Sequence, residues 1–297
     1  MAQNGTAGNL NWSLTNAGVL TISGSGAMPD YSLDNLPPWS ECNISTVIIE
    51  KGVTGIGSYA FYQSGALSIY IPDGIVEIGQ NAFYGSALIS VTIPGTVGAL
   101  GDNAFRNCAN LTSVTVSDGV KTIGNNTFRG CTSLAYIDFP ASITSVGAGA
   151  FMSCDEMTRV RFMPGNETVT LGDGLFAQCW KLTNVTLPQT ADCISNDMFA
   201  SCTLLPELYI PASVKEIGDN PFTSCHCLKY IYFGGSEAEW DSIASVYLKA
   251  SLMSTGTTVI FNAEFDDPFA KDPNDPGDLL PDEGENVPPG STPDDST

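Results

Sequence analysis

The sequence has 297 residues, of which 14% are charged, and a formal net charge of −21 at pH 7. Its 11 Lys and Arg residues are scattered rather than clustered, which argues against a nucleic acid or an anionic membrane as partner. No apolar run is long enough to span a bilayer, so membrane insertion is not expected either. Because no signal peptide or anchor is visible, we interpret the chain as a fragment of a longer protein or as a chain whose signal has been removed.

The first segment, residues 1–43, is predicted to cap the fold. Residues 1–8 carry no strand pattern and are expected to fray. Residues 11–14 and 19–23 alternate apolar and polar side chains around a Thr-Asn-Ala-Gly turn, which predicts a β-hairpin. We expect this hairpin to cover the otherwise bare edge of the first repeat strand, since an exposed edge invites aggregation.

Residues 44–233 repeat one unit, seen most clearly at residues 111–128 (LTSVTVSDGVKTIGNNTF). Each unit has a short alternating strand, a turn, a second apolar pair that ends in Ile-Gly, and then a Phe. Glycine at that point is expected to permit a sharp corner. The repeat phenylalanines recur every 22 to 25 residues at Phe61, Phe83, Phe105, Phe128, Phe151, Phe176, Phe199 and Phe222. Such a period predicts a solenoid whose stacked phenylalanines form one continuous core.

The unit resembles that of the BspA-like cell-surface leucine-rich repeat family, which reads close to IPxxVxxIGxxAFxxCxxLxxVxIP. The resemblance extends over eight successive units, and residues 9–29 and 232–240 resemble the family's two caps. It implies a β-rich, leucine-rich-repeat-like, right-handed solenoid with parallel strands, short irregular or 3₁₀ turns on the convex side and a cap at each end. It also implies a bacterial protein located outside the cell or at its surface. Ser64 and Ser86 depart from the pattern, because later units carry Cys there.

Six of the nine cysteines form a ladder, each three residues after a repeat Phe. The ladder consists of Cys108, Cys131, Cys154, Cys179, Cys202 and Cys225. Because equivalent Cβ vectors in stacked units run parallel, the geometry is poor for disulfides. We predict free, buried thiols that satisfy a carbonyl group in a tight turn. Cys42, Cys193 and Cys227 lie off the ladder.

The period is lost after residue 233, and residues 234–265 are expected to close the far end. Residues 236–248 show helical spacing, with Ser236 and Glu239 forming a capping box, and residues 257–261 predict a final short strand. Residues 266–297 contain ten acidic residues, one Lys and seven Pro, so this segment carries −9 and the remaining body −12. Its composition predicts a disordered linker or stalk.

The residue pattern offers little support for catalysis or for a metal or cofactor site. The single histidine, His226, has no second pair of ligands in the sequence, so we interpret it as a surface residue beside a ladder cysteine. No nucleophile elbow, phosphate loop or dinucleotide fingerprint is present. Asp138 and Glu207 lie three units apart, about 14 Å by strand spacing, too far for paired-carboxylate glycoside cleavage. We therefore predict a protein that is not an enzyme and has no cofactor or metal.

The outward-facing strand positions change character along the array, from mostly small residues such as Ser90 and Ser113 to aromatic and charged ones. The candidate ligand-binding residues are Tyr136, Asp138, Arg159, Arg161, Glu207, Tyr209, Tyr230 and Tyr232. Tyr and Arg are favoured at interface hot spots, although Tyr is also simply common in strands. We expect parallel strands to place these side chains on one face. There the two arginines pair with the acids or bind a carboxylate on a partner.

Two functions remain open at this stage. The first is a monomeric, non-catalytic surface protein that binds a protein or glycan of a host or neighbouring cell through this strand face. The second is a structural spacer that displays an adjacent domain and binds nothing itself. Mutating the Tyr and Arg residues would impair binding in the first case and change nothing in the second.

Overall fold

Three antiparallel strands begin the chain in the computed structural model, which describes residues 2–265. β1 (Gln3–Ala7) pairs with β2 (Leu10–Leu14), and β2 forms a hairpin with β3 (Val19–Gly24). The expectation that residues 1–8 fray is wrong, because β1 completes a backbone ladder with β2 and Gly5 lies directly against the Trp12 ring. β3 in turn pairs in parallel with the first repeat strand and so covers its edge.

Each repeat then forms one turn of a β-solenoid, with a main strand followed by a second short strand. The prediction of a parallel-strand solenoid is confirmed. The second strand, which the repeat pattern did not predict, builds a separate parallel ladder. From the cap onward the strands are β4 (Gly26–Ala27), β5 (Thr46–Ile49), β6 (Val53–Ile56), β7 (Ser68–Tyr70), β8 (Glu77–Ile78), β9 (Ser90–Ile93), β10 (Ala99–Leu100), β11 (Ser113–Val116), β12 (Thr122–Ile123), β13 (Tyr136–Phe139), β14 (Ser145–Val146), β15 (Arg159–Phe162), β16 (Thr170–Leu171), β17 (Asn184–Thr186), β18 (Cys193–Ile194), β19 (Glu207–Ile210), β20 (Glu216–Ile217) and β21 (Tyr230–Phe233).

The repeat phenylalanines stack along the solenoid as predicted. Neighbouring ring centroids lie 4.9 to 6.1 Å apart, with interplanar angles of 5° to 28°. The stack begins one turn earlier than the Phe spacing indicated, because Trp39 packs on Phe61 at 5.9 Å. Cys42 lies three residues after Trp39, but its Sγ donates to the Gln3 Oε1 at 3.4 Å and not to a carbonyl group of a preceding turn, so it stands apart from the thiol ladder.

The turns that carry these rings are irregular, and no 3₁₀ helix occurs in residues 2–265. Alternate backbone N–H groups donate to the next turn, as from Asn103 to Asn125 and from Phe105 to Thr127, both at 2.9 Å. The residues between them bond three positions back, as from Ala104 to Gly101. This alternation gives the convex side an inter-turn ladder of its own and requires left-handed residues, such as Asn103 with φ 57°.

The repeat glycines serve close packing rather than a corner, which corrects the expectation from sequence. None of Gly79, Gly101 and Gly147 has a positive φ. A Cβ atom on Gly79 would lie 2.6 Å from the backbone nitrogen of Ser58, and one on Gly147 would lie 2.6 Å from that of Asn125. Since real Cβ contacts are longer, glycine is what lets consecutive turns approach to this distance.

The cysteine ladder is confirmed as a set of free, buried thiols. Each ladder Sγ donates to the Phe carbonyl of the preceding turn at 3.1 to 3.4 Å, as from Cys179 to Phe151. Ser86 takes the equivalent place one turn before Cys108, and its Oγ lies 3.2 Å from the Cys108 Sγ. Most of these carbonyls also accept the backbone N–H three residues further on, as Phe105 does from Cys108 at 3.2 Å. The thiol therefore adds a second bond to the carbonyl group, and this bond links consecutive turns.

Two helices and a strand close the far end of the array. The predicted capping box is present at Ser236, which begins α1 (Glu237–Ile243). The helical pattern divides into two elements, because Ala244 is extended and Ser245 caps a second helix, α2 (Val246–Thr255). β22 (Thr258–Ile260) then pairs in parallel with β21. The predicted linker, residues 266–297, lies outside the described residues.

Candidate ligand-binding site

Four of the candidate residues form a compact group on two adjacent strands, β13 and β15. Strand alternation sends Ile137 and Val160 into the core and turns the candidate side chains outward. Parallel register places Tyr136 beside Arg159, and Asp138 beside Arg161.

The Arg159 side chain lies diagonally across this group. Its Nη2 donates to the Asp138 Oδ2 at 2.8 Å, while its guanidinium carbon lies 4.8 Å from the Tyr136 ring centroid. The Arg159 side chain is 13% exposed and the Asp138 side chain is 20% exposed. The predicted pairing of an arginine with Asp138 is thus confirmed for Arg159, which is held by charge and by cation–π attraction together.

Arg161 is also largely buried. Only 9% of this residue is exposed, and Thr186, its partner on β17, is buried as well. Both arginines therefore present little side-chain surface to solvent, since the Arg159 side chain is only 13% exposed.

The other four candidates lie on β19 and β21, in a second group. Glu207 pairs in register with Tyr230, and Tyr209 with Tyr232. Tyr230 is 42% exposed, and its ring centroid lies 6.1 Å from that of Tyr232. Partial burial, reinforced by the nearby Glu207 carboxylate, raises the pKa of Tyr232.

The two groups belong to different backbone ladders. β13, β15 and β17 form one parallel sheet, and β19, β21 and β22 form the next. The expected single row of eight side chains is therefore two clusters of four on consecutive sheets.

Tyr209 contacts the chain's own carboxy-terminal segment. Its hydroxyl donates to the Ala263 carbonyl at 3.4 Å, and its ring lies 5.1 Å from the Phe265 ring. Burial accordingly raises the pKa of Tyr209. This residue anchors the cap against the strand face, so its ring is only partly available to a ligand.

A second aromatic and basic strip, which sequence reasoning missed, lies on the convex side. It occupies the position after each of the first four repeat phenylalanines and comprises Tyr62, Tyr84, Arg106 and Arg129. The Tyr62 and Tyr84 rings stack at 5.2 Å, and the Arg106 guanidinium lies 5.9 Å from the Tyr84 centroid. Comparing the residues that follow the repeat phenylalanines would have revealed this strip.

The residues considered for metal chemistry remain apart. His226 and Cys227 are exposed, whereas Cys225 is buried in the ladder. Across residues 2–265, no three His, Cys, Asp or Glu side chains come together as a metal site would require. Neither helix in this part of the chain has the length and apolar character needed to cross a membrane.

A family model described as BspA type Leucine rich repeat region matches residues 38–158 and 121–249 in six copies. Several solved structures of leucine-rich repeat proteins are similar. A T. pallidum leucine rich repeat protein is 24% identical, with 88% of this chain and 100% of that chain covered and a TM-score of 0.52. A leucine-rich repeat protein from Eubacterium ventriosum is 21% identical, with 75% of this chain and 95% of that chain covered and a TM-score of 0.38. A leucine rich cell surface protein from Faecalibacterium prausnitzii is 18% identical, with 82% of this chain and 97% of that chain covered and a TM-score of 0.38. No curated protein matches the chain. The chain belongs to the BspA-type leucine-rich repeat family.

Proposed function

We propose that this chain is a non-catalytic binding protein at a bacterial surface. It recognises a protein or glycan of a host or neighbouring cell through the strand-face cluster, defined as Tyr136, Asp138, Arg159 and Arg161. Family membership and a composition in which only 14% of residues are charged support the surface location. The observation that carries the proposal is the placement of Arg159 between the Tyr136 ring and the Asp138 carboxylate.

This placement matters because it orders a flexible side chain before any ligand arrives. An arginine side chain loses rotamer entropy when it is immobilised at an interface, and that cost weakens binding. In the strand-face cluster, cation–π and ion-pair contacts already restrict Arg159 in the unbound protein. A ligand that contacts the guanidinium edge or the Tyr136 ring would meet a rigid surface on a rigid β scaffold.

The charge of the cluster sets the kind of ligand that fits. Two arginines against one aspartate give it a net positive charge on a protein whose formal net charge is −21. A ligand with an isolated carboxylate or other hydrogen-bond acceptor suits the cluster, whereas an extended polyanion would be repelled by the rest of the surface. The exposed Tyr230 and the partly buried Tyr232, on β21, offer further aromatic area about three strands away, on the order of 14 Å.

A binding screen with matched variants tests the proposal. Wild-type protein, Arg159→Ala and the double variant Ser90→Ala/Ser113→Ala are compared against immobilised host matrix proteins and a glycan array. The two serines occupy equivalent positions on earlier strands, β9 and β11. We expect Arg159→Ala to weaken binding by about tenfold or more, as hot-spot arginines do, and the serine variant to bind like the wild type.

Thermal melting and circular dichroism establish that each variant is folded before binding is interpreted. Equal binding by the arginine and serine variants would move the site away from the strand-face cluster. If folded wild-type protein binds no probe in the screen, the structural spacer becomes the better account of this chain.

A further inference from the structure

A cleft of about 410 Å³ opens at the amino-terminal end of the array, far in sequence from the strand-face cluster. It lies between the cap segment at residues 37–44 and the first repeat turn at residues 60–65. Its volume is within the range of about 300–1,000 Å³ typical of small-ligand sites.

The cleft exists because a small residue stands where the preceding turn would otherwise continue the convex strip. The position after the stacked ring is Ser40 in the additional turn, Tyr62 in the next and Tyr84 in the third. Since Ser40 is too small to cover the Tyr62 ring, both residues line the cleft, whereas Tyr84 does not. Tyr62 stacks on Tyr84 with an interplanar angle of 18°, so its other face is the one directed toward the cleft.

Several contacts hold this aromatic wall in place. The Tyr59 ring lies 5.4 Å from the Tyr62 ring. The Tyr84 hydroxyl accepts from the Asn107 Nδ2 at 2.9 Å, and the Arg106 guanidinium lies 5.9 Å from the Tyr84 ring centroid. The wall is therefore a preformed platform rather than a single mobile side chain.

The remaining lining is mainly polar. Trp39 and Phe61 contribute to the floor but are buried in the ring stack, so they offer little apolar surface. The polar side chains that line the cleft are Ser40, Glu41, Asn43, Gln63 and Ser64. These hydroxyl, carboxylate and amide groups offer both donors and acceptors around one aromatic wall.

We propose that the cleft binds one ring of a neutral carbohydrate. A sugar ring has an apolar C–H face and an edge of hydroxyl groups, which matches one exposed tyrosine face bordered by polar side chains. The Glu41 carboxylate and the acidic body disfavour an anionic sugar. The site is separate from the strand-face cluster, and the inference does not depend on the function proposed above.

Titrations with defined oligosaccharides test this inference. Maltotetraose, cellotetraose and chitotetraose serve as neutral probes, and tetragalacturonate serves as the anionic one. Binding is followed by two-dimensional NMR through the indole N–H of Trp39, which lies in the cleft floor and donates to the Ala60 carbonyl at 2.8 Å. We expect at least one neutral probe to shift this signal saturably and the anionic probe to leave it unchanged.

Variants of Tyr62 separate stacking from general effects on the fold. Tyr62→Phe keeps the ring and should bind like the wild type, whereas Tyr62→Ala removes the platform and should weaken binding by about tenfold or more. Arg159→Ala, in the strand-face cluster, should bind the same probe unchanged. The inference is overturned if no neutral probe shifts the Trp39 signal, if folded Tyr62→Ala binds like the wild type, or if tetragalacturonate binds equally well.

Discussion

The stacked rings are the residues on which the solenoid depends most. Phe128 lies 5.3 Å from Phe105 and 5.2 Å from Phe151, and all three are fully buried. Each ring therefore contributes to two turn interfaces at once. In a repeat protein, stability is shared between neighbouring units, so a defect in one ring weakens both of its neighbours.

Replacing Phe128 with Ala should lower the free energy of unfolding by about 3–5 kcal/mol, the usual cost of truncating a buried Phe. Denaturant unfolding followed by circular dichroism measures the change. Thr115→Ala, on the exposed side of β11, serves as control and should change stability little. A Phe128→Ala protein that melts within a degree or two of the wild type would contradict the stacked core.

The buried thiols make a second residue-scale prediction, about reactivity. Thiol titration of the native protein should modify chiefly the exposed Cys227 and the partly exposed Cys42 and Cys193. The six ladder cysteines should react only after denaturation, without added reductant. If denaturant alone releases almost no further thiol, the ladder is disulfide-bonded and the prediction is wrong.

The same burial makes stability depend on alkaline pH. Burial raises the pKa of the Cys179 thiol from 9.0 to about 12, because the thiolate is poorly solvated in the core. A raised folded-state pKa means that the stabilisation is present below about pH 9 and is lost as the pH rises toward 12. The free energy of unfolding should fall as the pH rises across this range. It should fall less steeply for Cys179→Ala than for the wild type. Identical slopes for both proteins would exclude this thiol as a cause.

At the scale of elements, the spacing between consecutive turns is limited by glycine. Gly79 lies where a Cβ atom would approach the Ser58 backbone nitrogen to 2.6 Å, and backbone on both sides is fixed by strand pairing. Neither turn can move away without breaking ladder hydrogen bonds. The repeat therefore needs glycine at this position for packing.

Gly79→Ala should destabilise the protein by about 1–3 kcal/mol, as overpacking of a tight interior does. Gly98→Ala is the matched control, because Gly98 has no positive φ and a methyl group added there would have no atom within 4 Å. Thermal melting should show a clear decrease for the first variant and almost none for the second. Equal melting temperatures would show that consecutive turns can separate freely.

At the scale of the whole molecule, both ends of the array are closed by paired strands. β3 covers β5 at the beginning, and β22 covers β21 at the end, with Trp240 and Leu252 buried in the closing helices. An open solenoid end presents unpaired backbone groups and apolar side chains, which favours association between chains.

Ending the chain after Gly235 should therefore expose the edge of β21 and cause association. Size-exclusion chromatography with light scattering should show oligomers or aggregates for the truncated chain at concentrations where the full chain stays soluble. A truncated chain that elutes as a well-behaved monomer would show that α1, α2 and β22 are not needed to protect the edge.

The sequence alone determined the architecture of the array and part of the candidate site. Eight units of similar length, 22 to 25 residues, predict similar backbone turns, so the Phe stack, the thiol ladder and the outward position of Tyr136 and Arg159 followed from periodicity. Repetition supported these predictions, because the same residue pattern recurs in successive units. The capping box at Ser236 could also be predicted from the sequence, since it depends only on local hydrogen bonds.

Only the tertiary structure decided the features that depend on contacts between non-equivalent segments. Trp39 continues the Phe stack although it lies in the cap, β1 pairs with β2 without an apolar pattern, and Phe265 packs on Tyr209. The break between β17 and β19 and the burial of Arg161 likewise depend on neighbouring chain segments. The cleft beside Tyr62 arises where the cap meets the first repeat. Such contacts join residues that share no period, so physical packing and not the repeat pattern determines them.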